Sequence, residues 1–256
     1  MAENEKPLIL ITNDDGITSA GIRYLVDSVA GMGDIMVVAP DGPRSGGSAS
    51  ITCETILRPK QREDYNGARM TALNGTPVDC VKLALNALVP RRPSLVLSGI
   101  NHGANTGNSI VYSGTMGATL EACMQGVPAI GYSLVSHTPC PEDFEACLPF
   151  MRELTGKVLR EGLPEGVCLN VNMPSGGIIK GMKRARACKG RWTEEYAPYK
   201  DPFGRMFYML TGTYVNSEPF STDTDLYWLS QGYISIVPSV PDRDFSGPLD
   251  LLAPFE

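Results

Sequence analysis

Apolar residues come along this chain in short unbroken runs rather than in alternation. The first, "LILIT" at 8–12, is closed by Asn13, Asp14, Asp15 and Gly16. "IMVVA" at 35–39 stops at Pro40, and "SLVLSG" at 94–99 leads into Ile100 and Asn101. "VPAIGYSLV" and "VCLNVNMP" are later runs of the same kind. A short apolar run bounded by turn residues predicts a strand buried on both faces. Between the runs the spacing lengthens to the helical period. Residues 20–30 predict a helix stopped by Gly31 and Gly33. Another begins with Thr76 as N-cap, Pro77 at the first position and Asp79 in the first turn, with Val78, Val81, Leu85 and Leu88 on one face. "MGATLEACMQG" and residues 141–161 complete the helical set. Non-alternating strands interleaved with helices predict an α/β fold: a mainly parallel sheet covered on both faces.

Elsewhere the pattern is weaker. Residues 50–58 and 68–73 predict a hairpin. From about residue 176 the grammar changes: "FYMLTGTYV" (207–215) is β-rich, "STDTDLYWLSQG" is a short capped helix and "YISIVPSV" (233–240) is a strand. No linker or internal repeat divides the chain. It reads as one domain over 1–256, with a core to about residue 175 and a β-rich C-terminal extension over about 176–256.

Composition narrows the classes. Apolar residues are 43% and charged residues 20%, as in an ordinary globular protein. A formal charge of −6 argues against a dedicated nucleic-acid partner, which carries a basic balance. No apolar run approaches the roughly 20 residues that span a bilayer, so no membrane is expected. The N-terminus, with early acids and a very short apolar run, does not read as a signal peptide. Seven scattered cysteines form no Cys-x-x-Cys pair, and most read as small buried hydrophobes; a reducing cytoplasm is the expected compartment. Only His102 and His137 are histidines, which excludes a His-rich metal site.

The chemistry concentrates where strands end. Ligands of open α/β sheets bind beyond the carboxyl ends of the strands. Here the first strand ends in Asp14 and Asp15, the second in a loop carrying Arg44 and Ser45, the third in Asn101. If these strands are neighbours, two carboxylates, a hydroxyl and an amide oxygen converge. Such hard oxygen donors suit Mg²⁺ or Mn²⁺, or Ca²⁺, rather than zinc. An isolated Asn-Asp-Asp-Gly is simply a turn; its place after a buried strand favours function. Ser113, Gly114 and Thr115 precede a helix, where amides and hydroxyls either hold an anion or merely cap the helix. Upstream, Asn101 and Asn105 lie on a glycine-rich loop. A cation site beside an anion site points to a metal-assisted phosphate enzyme. Walker-type, dinucleotide and nucleophile-elbow motifs are absent. His102 reads as a solvated loop histidine. The basic stretch 180–191 reads as the wet face of a strand. The aromatics that follow, Trp192 to Tyr208, either stack a base, form a subunit contact or build a small core.

"ILITNDDG", "VVAPDGPRSGGS", "NGTPVDCVKLAL", "SGINHGANTGNSIVYSGTMGA", "VPAIGYSL" and "GYISIVP" run in order from about residue 8 to 238. In these the chain resembles the stationary-phase survival protein SurE family of metal-dependent nucleotidases. The resemblance implies a Rossmann-like core, a C-terminal part used in oligomerisation to a homodimer or homotetramer, and release of phosphate from nucleoside monophosphates. By motif match it places Asp14, Asp15, Ser45 and Asn101 as ligands of one divalent metal, with Asp14 and Asp15 also catalytic. Asn105, Ser113, Gly114 and Thr115 match phosphate-contacting positions. Asn108 stands where the family commonly has an aspartate, and 217–225 match only loosely. A non-catalytic nucleotide and metal sensor is the competing expectation.

Overall fold

A computed structural model describes residues 6–242. In chain order it contains β1 (Leu8–Thr12), α1 (Ala20–Ser28), β2 (Asp34–Pro40), β3 (Pro59–Gln61), β4 (Arg69–Leu73), α2 (Pro77–Leu83), β5 (Leu95–His102), α3 (Gly114–Met124), β6 (Ala129–Leu134), α4 (Pro141–Glu161) and β7 (Cys168–Met173). Then come β8 (Met182–Arg184), β9 (Gly190–Thr193), β10 (Tyr196–Lys200), β11 (Met206–Leu210), β12 (Thr213–Asn216), α5 (Asp225–Ser230) and β13 (Ile234–Ser239).

Nine strands form one sheet in the order β3-β4-β2-β1-β5-β6-β7-β13-β8. Its centre is parallel: β2 and β5 flank β1, β4 follows β2, and β6 and β7 follow β5. β3 and β13 join antiparallel to β4 and β7. The chain builds outward from β1 through β2 to β4, then returns to build outward on the other side from β5. The order reverses between β1 and β5, and that is where a crevice opens at the carboxyl ends of the strands.

β1 shows why its run is unbroken. Ile9 and Ile11 pack in a cluster with Ile22 and Leu25 of α1 and Phe144 and Met151 of α4. Leu10 packs in the opposite cluster with Val81 of α2 and Met116 and Ala122 of α3. Every residue of β1 is buried, so neither face is polar. Helix starts follow local chemistry. Thr76 Oγ1 accepts from Asp79 N at 3.1 Å, and an Asp79 oxygen accepts from Thr76 N at 2.8 Å, a capping box ahead of Pro77.

Two expectations change. Residues 50–58 form no strand; β3 lies further on, and it is Pro59–Gln61 that pairs with β4. The polar groups of 50–58 are used elsewhere: Thr52 N and Oγ1 both donate to Asp79, and Thr76 Oγ1 donates to Ser50 O. The segment is a cover for the start of α2. Second, the residues beyond 176 divide. β8 and β13 are strands of the main sheet, whereas β9 to β12 form two separate ribbons, β9 with β12 and β10 with β11. The basic stretch is only briefly a strand, but its Lys183, Arg184, Lys189 and Arg191 are exposed to solvent; Arg186 in addition pairs with Glu218 and Asp223. All seven cysteines are free.

α1 sits against the turn that ends β5. A Cβ on Gly21 would fall far inside contact distance of the Ile100 carbonyl oxygen. Gly21→Ala should therefore cost about 2–4 kcal/mol, whereas Gly177→Ala, in open space, should change stability by less than about 0.5 kcal/mol. Urea unfolding of both variants checks this; equal midpoints would deny the close approach.

Candidate active site at the β1–β5 switch point

Asp14, Ser45, Asn101, Asn105 and Ser113 line one cavity of about 540 Å³. Backbone contacts bring their loops together. Arg44 N donates to Asp14 O at 2.7 Å, which ties the loop after β2 to the end of β1. Ser48 N donates to Tyr112 O at 3.1 Å, which ties the same loop to the single 3-10 segment over 107–112.

Asp14 is 4% exposed. Its Oδ1 accepts from Thr115 Oγ1 at 2.5 Å. Gly114 makes the approach possible: a Cβ there would lie 2.9 Å from Asp14 Cβ and 3.1 Å from Oδ2. Burial first, and then the charge of Asp15, push the Asp14 carboxyl up to about 6, against the pull of Thr115. Asp15 is half-buried and stands beside the cavity rather than in its wall. One of its oxygens accepts from His102 N at 3.2 Å, and burial raises its carboxyl as well. Among the described residues no lysine or arginine is within ion-pair distance of either carboxylate.

The donors fit a hard cation. Asn101 Nδ2 donates to Gly103 O at 2.7 Å, which leaves Oδ1 as the amide's unused oxygen. Ser45 is exposed, with no hydrogen bond to its hydroxyl among the described residues. Two raised carboxylates with no lysine or arginine partner among the described residues, one amide oxygen and one hydroxyl form an oxygen-only set; only the His102 ring offsets the charge of Asp15. Among the described residues there is no cluster of three or more His, Cys, Asp or Glu side chains, so a zinc-type centre finds no alternative place.

The residues expected at the anion divide into two kinds. Ser113 Oγ accepts from Met116 N at 3.1 Å as the N-cap of α3, so its proton is left to donate. Asn105 is held from behind: its N donates to Asn172 Oδ1 at 2.7 Å and its Nδ2 to Ser133 Oγ at 2.8 Å. Thr115 is different. It is fully buried and its hydroxyl is engaged with Asp14, so its side chain fixes the carboxylate instead of facing a ligand. Gly114 contributes space and a helix-terminal amide.

One part of the cavity was not legible as site, and a second was legible only as one of several alternatives. His137 lines it, packed against Gly103. Tyr112 also lines it, and with Trp192, Glu195, Tyr196, Leu210 and Thr211 the two ribbons supply a whole wall. The aromatic spacing after residue 190 was visible in sequence, but its destination was not.

A family model described as "Survival protein SurE" matches residues 9–194. The chain belongs to the SurE family. It is 44% identical over 250 residues to the "5'-nucleotidase SurE" of Phocaeicola vulgatus, covering 98% of this chain and 97% of that one. To the protein of the same name from Christiangramia forsetii it is 46% identical over 239 residues, covering 91% of each. The crystal structure of the SurE protein from Aquifex aeolicus superposes with a TM-score of 0.78 at 35% identity, covering 93% of this chain and 95% of that one. This shared architecture is the Rossmann-like α/β core with added C-terminal strands.

The Asp14 carboxyl gives a signed pH prediction. Its folded value lies above the unfolded one, about 6 against 3.8, so the folded state holds the proton more tightly. Metal-free protein should lose about 2–3 kcal/mol from this group as pH rises from about 4 to 7. In chelator, Asp14→Asn should melt above the unsubstituted protein at pH 7, with the gap closing near pH 4. An Asn variant that is less stable at pH 7 in chelator would contradict the unbalanced carboxylate.

Proposed function

We propose that this chain releases phosphate from nucleoside monophosphates with one divalent cation, Mg²⁺ or Mn²⁺, held by Asp14, Asp15, Ser45 and Asn101. The observation that carries this is the pair of adjacent carboxylates with no lysine or arginine partner among the described residues, set at the switch point beside a cavity with an aromatic far wall. The names of the relatives support the same activity, and the family's metal dependence supports the cation. When bound, such a cation supplies Lewis acidity: it neutralises phosphoryl charge and acidifies water.

The chain's own residues do the rest. The Ser113 hydroxyl, the amide of Asn105 and the first amides of α3 orient the phosphoryl oxygens at a helix N-terminus. Of the two adjacent carboxylates Asp14 faces the cavity, so it is the one placed to take a proton from attacking water. Asp15 holds the end of β5 through His102 N. Thr115 keeps Asp14 in place. The wall of Trp192, Tyr196 and Tyr112 offers flat apolar surface to a base. The cavity volume of about 540 Å³ suits a nucleotide-sized ligand.

The arm built from β9 to β12 supports assembly. Tyr196, Phe203, Tyr208 and Leu210 are 66%, 82%, 65% and 72% exposed, on or between the strands of the β10–β11 ribbon, which among the described residues joins no larger sheet. A two-stranded ribbon is marginal alone, and an apolar surface of this kind is covered in a dimer or larger oligomer. We read the chain as one functional unit, a homodimer or homotetramer. No helix of the described residues is long and apolar enough to cross a membrane. Free cysteines throughout support a reducing compartment, the cytoplasm.

Phosphate release from the four nucleoside 5′-monophosphates should require Mg²⁺ or Mn²⁺ and stop in chelator. Asp14→Asn and Asp15→Asn should abolish it with the fold intact. Binding of nucleotide without turnover in either metal would overturn the reading in favour of a sensor. Ser113→Ala should cost about 1–3 kcal/mol in kcat/KM. Thr115→Val should instead raise the metal concentration needed for half-maximal rate, because its hydroxyl serves the carboxylate. Equal effects of the two on nucleotide KM would merge their roles.

Sedimentation should show a dimer or larger at micromolar concentration. Replacing residues 195–210 by a short glycine-serine linker should give a folded monomer. An unsubstituted chain that sediments as a monomer would deny the assembly, and a dimeric excised chain would move the interface to the core.

A further inference from the structure

Asp225 is a fully buried carboxylate far along the chain from the loops of the site, and the chemistry above does not use it. It opens α5, behind Thr224 as N-cap. Its Oδ2 accepts from Gly107 N at 2.7 Å. Its Oδ1 accepts from Cys188 N at 2.9 Å and from Leu226 N at 2.8 Å. One side chain thus bonds the loop that leads to Ser113, the root of the arm and the first turn of a helix. Among the described residues no lysine or arginine pairs with it, and burial raises its carboxyl despite three backbone donors. A buried charge without a cation is costly, so the bonds it makes are the reason it can stand there.

The loop and the arm meet along a seam that this pin closes. Asn108 Nδ2 donates to Gly190 O at 2.6 Å, and Trp192 Nε1 donates to Ser109 Oγ at 3.2 Å. Tyr214 stands edge-on to Trp192, with ring centroids 5.6 Å apart, and its hydroxyl donates to Cys188 O at 3.3 Å. Gly107 and Gly190 leave room for that hydroxyl, because a Cβ on either would overlap it. On the open side of the seam, Ser109 and Tyr112 from the loop and Trp192 and Tyr196 from the arm line the same cavity as Asp14.

We propose that Asp225 is a positioning residue for substrate discrimination. It locks the loop over 107–112 to the arm root and so sets the nucleoside wall at a fixed place relative to the phosphate end. This rests on the nucleotidase reading above. The metal end is built by other bonds, from Arg44, His102 and Thr115, and does not depend on the pin. Losing the pin therefore loosens the grip on ribose and base while the reaction at phosphorus continues.

The test compares a nucleoside 5′-monophosphate with p-nitrophenyl phosphate, which lacks ribose and base, at saturating Mn²⁺. Asp225→Asn turns one acceptor into a donor facing a backbone N–H. It should raise KM for the nucleotide about tenfold, with kcat for the nucleotide and kcat/KM for p-nitrophenyl phosphate within about threefold of the unsubstituted values. Asn108→Ala, at an exposed position, should shift nucleotide KM the same way by about threefold. Equal losses on both substrates, or no change on either, would overturn the proposal. If Asp225→Asn does not fold, Asn108→Ala carries the test alone, and unchanged selectivity in it overturns the proposal. Failure of the unsubstituted chain to release phosphate from any nucleotide would instead sink the nucleotidase reading.

Discussion

Asp14 lies at the end of β1, 4% exposed, one residue from a second carboxylate and without an ion-pair partner among the described residues. Folding moves that charge out of water, and only the Thr115 hydroxyl and the start of α3 answer it within the chain. Most of the local architecture is arranged around this imbalance. Gly114 lets a helix terminus approach the carboxylate, and Arg44 N fixes the backbone beneath it. The apolar clusters on both faces of the sheet supply the stability that such a site draws on. The fold makes an electrostatically incomplete site, which is where we propose the cation binds.

The parallel sheet determines where that incompleteness can sit. Each strand end contributes one loop, and only at the reversal of strand order do neighbouring loops diverge to leave a crevice. β1 and β5 flank the reversal, so the residues after Thr12 and after Gly99 become neighbours although about ninety positions separate them. β5 adds a shift of register against β6 between Ser98 and Asn101, after which Asn101 and His102 pair with Ser133 and Leu134 at the end of the ladder. The polar set is therefore delivered by topology, with no contiguous motif needed to hold it together.

Much of this was legible in order along the chain. β1 and α4 fall at the residues the pattern predicts, because both are bounded by strong local signals: turn residues after Thr12, and Pro141 and Gly162 around the helix. The Asp14, Ser45 and Asn101 convergence followed from strand ends alone. Other features depend on partners that no local pattern reveals. Residues 50–58 looked like a strand, but Asp79 captures their donors first. Thr115 looked like a ligand-facing hydroxyl, but it lies under Asp14. Asp225 holds Gly107 across 118 positions, and nothing near either residue announces the other.

The arm leaves the body of the molecule at Gly190 and returns at Asn216, and those two residues are directly paired across an antiparallel ladder. Its entrance and exit are therefore adjacent. The segment is in effect an insertion grafted onto a closed stem, with β8 and β13 holding the sheet on either side of it in sequence. Closing such a stem costs little entropy whatever the length of the insert. The arm can be lengthened, shortened or exchanged between variants while the strand order that builds the metal end stays as it is. On the proposed reading, substrate range and assembly can thus diversify on one side of the cavity without disturbing the metal end on the other.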